Sequence, residues 1–433
     1  MITGRTGAKG YVLGYDLGND FSQISFMELD GASPRTLSVK TGEEVYDIPT
    51  LLARREDVNQ WFFGREAAKQ IAEQGAIRVD NLIGMALKGI PVTVGDTEYD
   101  PVSLLALFVK RSLSLLSMEV DAARVRAVMF TCAHLDAGMV EVLRNVVKAL
   151  QLPMKHVYFQ SYAESFYQYM IAQSKELRSH TSLACDYHFG TMRVYALSFN
   201  LHTTPVVASV EEQAFPEMEY NIEGLPQDPA HREKALNMLD EQFLKIAEHL
   251  TKGRVVSTVY LLGNGFKEGW MNRSLEYMCR TRKVFQGSNL FSKGATHAAA
   301  MRLKKKVEAD AFLLLDEEKL KFNIGMTVHE RGKEVYFGLL NGGINWFEAS
   351  ARCEVILETG EELTFQVTPL TGGVARELKL SVSPLPEREP RTTRLLIRAK
   401  MLSADRLAVK VKDLGFGDYN DATDAVFIGE YQL

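Results

Sequence analysis

The strongest constraint on the fold is a strand, turn, strand unit that occurs twice, each time with an aspartate near the end of its first strand. The first runs from Tyr11 through Asp16-Leu17-Gly18-Asn19-Asp20 and resumes from Phe21 to Leu29. The second runs from Ser182 through Asp186-Tyr187-His188-Phe189-Gly190-Thr191 and resumes to Leu197. A turn with aspartate and glycine between two strands exposes backbone N–H groups that can approach a phosphate, while the carboxylate can hold Mg²⁺ through water. One such hairpin is ordinarily only a turn. Two in one chain, followed by Gly263-Asn264-Gly265 between a strand and a helical pattern, point to a duplicated fold with a phosphate-facing cleft.

Strands and helices alternate around these units. Asp100-Pro101 opens a helix with Leu104, Leu105, Phe108, Val109, Leu113 and Leu116 on one face. Val125–Thr131 reads as a buried strand, and Asp136 caps a helix whose Met139, Val140, Leu143, Val146, Val147 and Leu150 form an apolar stripe. Ala230–Thr251 has helical period and Val255–Leu262 reads as a strand. Helices are expected over Phe266–Arg280 and Lys293–Lys306. From Lys321 the pattern changes to short alternating strands separated by turns such as Thr359-Gly360, Gly372-Gly373 and Ser403-Ala404-Asp405.

Composition narrows the function. The 433 residues carry 50 basic and 55 acidic side chains, a formal charge of −5, which removes the bulk attraction of a nucleic-acid or anionic-membrane binder. Cys132, Cys185, Cys279 and Cys353 are widely spaced with no paired motif, so a disulfide scaffold is not indicated and a reducing cytoplasm is the expected compartment. No apolar run suggests a leader or a membrane span. Lys304-Lys305-Lys306 reads as a solvated helix end, and Arg391, Arg394, Arg398 and Lys400 as an exposed strand face.

Taken together, these segments resemble the superfamily of actins, sugar kinases and heat-shock chaperone ATPases, and among them the seventy-kilodalton heat-shock chaperones. Tyr15 to Ser22 is similar to their first phosphate loop, and Ile48-Pro49-Thr50 with Phe63 to Lys69 to the segment after it. Asp186 to Val194 resembles the second phosphate loop, Leu261 to Gly265 the adenosine turn, and Gly294 to Ala299 the second connecting helix. Phe312-Leu313-Leu314-Leu315-Asp316 is similar to the chaperones' hydrophobic interdomain linker. Pro384 to Pro390, Leu395 to Ala399, Ser403 to Leu407 and Val409 to Asp413 resemble their peptide-binding β-sandwich.

The resemblance implies an α/β duplicated two-lobed actin-like ATPase fold over residues 1–311, with lobes of about 1–180 and 181–311. A linker at 312–319 and a β-sandwich, substrate-binding-like domain at 320–433 would follow. ATP and Mg²⁺ are the implied cofactors, with Asp16 and Asp186 organising the metal and its waters. Gly18, Asn19, Asp20, Gly190 and Thr191 would hold phosphates, Thr191 positioning the γ-phosphate or water, and Gly263, Asn264 and Gly265 would receive adenosine. The β domain would take a polypeptide client or protein partner, with no nucleic acid or membrane involved.

The sequence also departs from the family. His188 and Phe189 stand where the second phosphate loop carries glycines, and Asp80 aligns with a lysine that orients the attacking water. Ser161-Tyr162 replaces Glu-Pro in the first connecting segment, the stretch between Asp186 and Gly263 is short on the adenine side, and the chaperones' helical lid is expected to be absent. Two readings follow from this. One is a divergent chaperone-like protein that binds Mg-ATP and hydrolyses it slowly at best. The other is a degenerate pseudo-ATPase acting as a scaffold or binding module.

Overall fold

The computed structural model describes residues 10–31, 33–188, 191–218, 224–267, 269–304, 312–370 and 372–433. The chain divides into two compact units, Met1–Leu314 and Leu315–Leu433.

In the first unit, β1 (Tyr11–Leu17) and β2 (Phe21–Glu28) form a hairpin extended by the short strands β3 (Arg35–Thr36) and β4 (Ile48–Pro49). A small sheet of β5 (Leu52–Arg55), β6 (Gln60–Phe63) and β7 (Ile77–Val79) accompanies α1 (Gly64–Gln74). Then come α2 (Leu82–Lys88), the hairpin β8 (Val92–Val94) and β9 (Thr97–Tyr99), and α3 (Pro101–Ser114). They lead to β10 (Val125–Cys132), α4 (Ala137–Leu150), β11 (His156–Ser161) and α5 (Tyr162–Ile171). The chain continues through β12 (Thr181–Tyr187), β13 (Met192–Asn200), β14 (Val206–Phe215), α6 (Pro229–Thr251) and β15 (Val256–Leu262). It closes with α7 (Arg273–Cys279), β16 (Lys283–Gly287), α8 (Leu290–Lys304) and β17 (Phe312–Leu315).

Two sheets repeat one plan. The first has the order β11-β10-β1-β2-β3 and the second β16-β15-β12-β13-β14, with β17 added at its end. In each, a hairpin (β1/β2 or β12/β13) is flanked by two parallel strands on the side of its first strand. Asp16 and Asp186 hold matching places, paired across their hairpins with Gln23 and Arg193.

The helices after the two sheets are exchanged. Phe166 and Met170 of α5, which follows the first sheet's last strand, pack among Ala184, Tyr195 and Leu197 of the second sheet. Ala295, Ala298 and Ala299 of α8, which follows the second sheet's last ordered pair, pack on Val12, Ala127 and Met129 of the first. Such burial is the main favourable term, about 1.5–3 kcal/mol for each large apolar side chain. The approach is close enough to require glycine. A Cβ at Gly14 would strike the backbone of Ser292 and Thr296 in α8, and one at Gly294 would strike the Ser165 carbonyl in α5.

Helix starts follow from local chemistry. The Asp100, Asp136 and Asp228 carboxylates accept from the N–H groups of Ser103, Met139 and His231. One segment, Pro101–Met118, has the length and mean hydropathy (1.4) of a membrane span. Its Leu104, Leu105, Phe108, Val109 and Leu116 are buried in the unit, and Ser112 hydrogen-bonds Tyr15 of β1 at 2.6 Å.

The long helix expected over 266–280 is shorter. Asn264–Phe266 is a single 3₁₀ turn and α7 begins only at Arg273, because the buried Asp240 carboxylate gathers the N–H groups of Asn272, Arg273 and Ser274. Gly269, with φ of 65°, breaks the segment before that. The Phe312–Leu315 part of the expected linker is a strand at the edge of the second sheet.

The second unit is β-rich. β18 (Phe322–Glu330), β19 (Lys333–Leu340), β20 (Ser350–Leu357), β21 (Glu362–Pro369), β22 (Arg376–Ser381), β23 (Thr393–Ser403), β24 (Arg406–Asp413) and β25 (Val426–Gln432) form two antiparallel sheets, ordered β19-β18-β21-β22 and β20-β23-β24-β25. Burial alternates along β21 and β24, so Leu363, Phe365 and Val367, and Leu407, Val409 and Val411, face inward. Arg388 and Asp413 form a buried bidentate pair, both bonds 2.9 Å, which also gathers Gly415 and Thr423.

Candidate functional site

A cavity of about 400 Å³ opens in the first unit, and the turns of both repeated hairpins line it. From the β1/β2 turn come Asp16, Gly18, Asn19 and Asp20, and from the β12/β13 turn Asp186, His188 and Thr191. Phe189 and Gly190 lie outside the described residues. The Thr50 hydroxyl donates to the Gly18 carbonyl at 2.8 Å and the Thr50 N–H to the Asp20 carbonyl at 2.8 Å, fixing the first turn.

Each aspartate is already engaged by a protein group. The Tyr162 phenol donates to Asp16 Oδ1 at 2.7 Å, and its ring stacks on Phe291 with centroids 4.0 Å apart. Burial raises the Asp16 carboxyl to about 7; the Tyr162 hydrogen bond opposes that rise and the charge of Asp186 adds to it. His188 Nε2 lies 3.1 Å from Asp186 Oδ1 as an ion pair. Burial pushes the His188 imidazole down, but Asp186, Asp16 and Asp47 outweigh it and raise it to about 9, so it is cationic at neutral pH.

Gln23, Arg193 and His134 carry no site expectation from sequence, and Tyr162 stands there only as a departure in the first connecting segment, yet all four line this cavity. Gln23 donates to Asp47 Oδ1 at 2.7 Å, and Lys267 reaches the other oxygen of Asp47 at 3.0 Å. Arg193 pairs with Glu212 at 2.6 Å and lies 2.9 Å from His134 Nε2. A signal for two of them was present, since Gln23 and Arg193 each stand seven positions after an aspartate, directly across the hairpin.

Magnesium suits this donor set poorly. Among the described residues no group of three or more His, Cys, Asp or Glu side chains is placed to hold a metal ion. A divalent cation would meet an Asp16 carboxyl whose Oδ1 already accepts from Tyr162, and would face the His188 imidazolium beside Asp186.

Gly263, Asn264 and Gly265, expected to receive adenosine, follow the lining residue Leu262 but are not themselves among the residues that line the cavity. A Cβ at Gly263, where φ is 95°, would strike the Tyr187 carbonyl, and one at Gly265 would strike the Tyr187 ring. Both are buried, the Gly265 carbonyl accepts the Trp270 indole N–H at 2.8 Å, and Asn264 sits between them. Close packing of Tyr187 therefore accounts for the glycines. Asp80 is exposed and pairs with Arg78 at 2.6 Å, while its neighbour Asn81 is on the cavity wall.

Residues 33–317 match the family described as "Family of unknown function (DUF5716) C-terminal", and the chain belongs to it. Residues 319–433 match a second description, "Domain of unknown function (DUF8552)". No curated protein matches the chain.

Proposed function

We propose that the chain is a divergent member of the actin, sugar-kinase and heat-shock-chaperone superfamily that binds a nucleotide's phosphates without efficient hydrolysis, and serves as a binding module. The observation that carries this reading is the pairing of Tyr162 with Asp16 and of His188 with Asp186. Both turns that would hold phosphate face one cavity, where Asp16 accepts from Tyr162 and Asp186 stands at ion-pair distance from His188. His188 and Arg193 are the cationic groups that a phosphate would engage, on a lining that also carries Asp16, Asp20, Asp136 and Asp186. The repeated sheet plan and its matching aspartates support the two-lobed actin-like assignment.

The second unit, read as a β-sandwich, is the partner-binding part. Val335, Tyr336 and Phe337 are each more than 40% exposed on the edge strand β19, where unpaired backbone groups suit an extended polypeptide.

Isothermal titration with ATP and ADP, with and without Mg²⁺, together with a phosphate-release assay, tests the reading. Nucleotide binding with little dependence on Mg²⁺ and negligible release is expected. Vigorous Mg²⁺-dependent release would overturn it. Absence of binding at millimolar nucleotide would favour the scaffold reading, which the Tyr187 packing over Gly263 and Gly265 also supports.

A further inference from the structure

A second, smaller groove of about 210 Å³ adjoins the main cavity and shares Leu262 and Ser288 with it. Its walls are aromatic. Tyr260 and Phe285 sit directly opposite each other on the parallel strands β15 and β16, stacked at 19° with centroids 5.3 Å apart. Tyr169 of α5 meets Tyr260 edge-on at 90° and 5.7 Å, closing a corner. Phe285 remains 41% exposed. Two pairs further along, on the same face, Leu262 faces Gly287, where a Cβ would meet nothing within 4 Å. Open space therefore lies over the sheet between the aromatic corner and the main cavity.

The groove is also polar at chosen points. Gln173, Gln286 and Asn289 line it, and each gives one amide N–H elsewhere: to the Tyr169 carbonyl, the Phe266 carbonyl and Thr36. Each amide keeps an oxygen acceptor and a second N–H donor, the complement of a ring that carries both donors and acceptors on its edge. No acidic or basic side chain lines the groove, which disfavours an ammonium group and favours a neutral planar ring.

We propose that this groove is the base subsite: the nucleobase of the bound nucleotide stacks in the corner of Tyr169, Tyr260 and Phe285, and its phosphates reach the main cavity past Ser288. This rests on the nucleotide-binding reading above but moves the base away from Gly263 and Gly265.

The test titrates the full chain and two variants, Phe285→Ala and Gly287→Val, with ATP, adenosine and inorganic tripolyphosphate. Phe285 is partly exposed and Gly287 has room for a side chain in an ordinary strand conformation, so both variants are expected to fold. Wild type is expected to bind ATP more tightly than tripolyphosphate, and each variant to lose about tenfold for ATP with tripolyphosphate affinity unchanged. Adenosine binding that both variants weaken, with no tripolyphosphate binding, would support the groove while overturning the phosphate reading of the main cavity. Equal affinity for ATP and tripolyphosphate, or ATP affinity untouched by both variants, would overturn the base subsite and leave the cavity reading standing. No binding of any of the three probes would overturn both.

Discussion

Tyr162 reaches Asp16 across 146 positions of sequence, its phenol oxygen 2.7 Å from the carboxylate, and so fills with a protein donor the place where a ligand's donor would otherwise sit. Tyr162→Phe keeps the ring that stacks on Phe291 but removes the donor from a buried carboxyl. The variant is expected to lose about 1–3 kcal/mol in urea denaturation, and the Asp16 carboxyl to move further up.

Asp16 also predicts a pH dependence. Its carboxyl is raised from about 4 when unfolded to about 7 when folded, so the folded state holds the proton more tightly. The stability it contributes is complete below pH 4 and is lost as pH rises to about 7. Asp16→Asn should flatten that part of the profile and be the more stable protein at pH 8, which denaturation midpoints at several pH values will read.

The His188 imidazolium stands beside Asp186 with its Nδ1 unpartnered. Removing it in His188→Gly frees the carboxylate and deletes a like charge from the path of a cation. Nucleotide binding in the variant should acquire a magnesium dependence that wild type lacks, measured by titration with and without the metal. An unchanged metal response would place the obstacle at Tyr162.

At Gly294 the constraint is steric. Gly294→Ala drives a methyl into the Ser165 carbonyl, and because backbone has to move, a loss of about 1–3 kcal/mol is expected. Gly287→Val, which meets open space, should leave the thermal midpoint nearly unchanged.

In the second unit, burial alone would push Asp413 up, but Arg388, the Gly415 N–H and Thr423 hold it well below the ordinary carboxylate range. Their contribution is present above pH 4 and is lost as pH falls. With side chains only 5% and 0% exposed, Arg388→Met leaves a buried charge unpaired and should cost about 3–5 kcal/mol. Limited proteolysis should then cut first within residues 414–425, whose Gly415, Asp421 and Thr423 this pair holds.

Much of the secondary structure could be read from local signals. Asp100 and Asp136 mark helix starts because capping is chemistry within three residues. The stripe of α4 lies inward at Met139, Val140, Leu143, Val146 and Leu150 because its period is helical. The helix over 266–280 was overestimated because its start is set by Asp240, more than thirty residues earlier. The site was legible only in part for the same reason. Asp16 and Asp186 carry a local pattern, whereas Tyr162 becomes a site residue only when α5 crosses to the first hairpin. Gly263 and Gly265 are small for the sake of Tyr187, a long-range packing requirement that a motif cannot express.

The exchange of α5 and α8 between the two sheets has a further consequence for cooperativity. Each sheet leaves one apolar face to be covered by a helix that the other half of the chain supplies. Neither half is a complete folding unit, so the first unit should melt in one transition despite its internal repeat. Chain breakage in the segment between α5 and β12 should yield fragments that fold only when mixed.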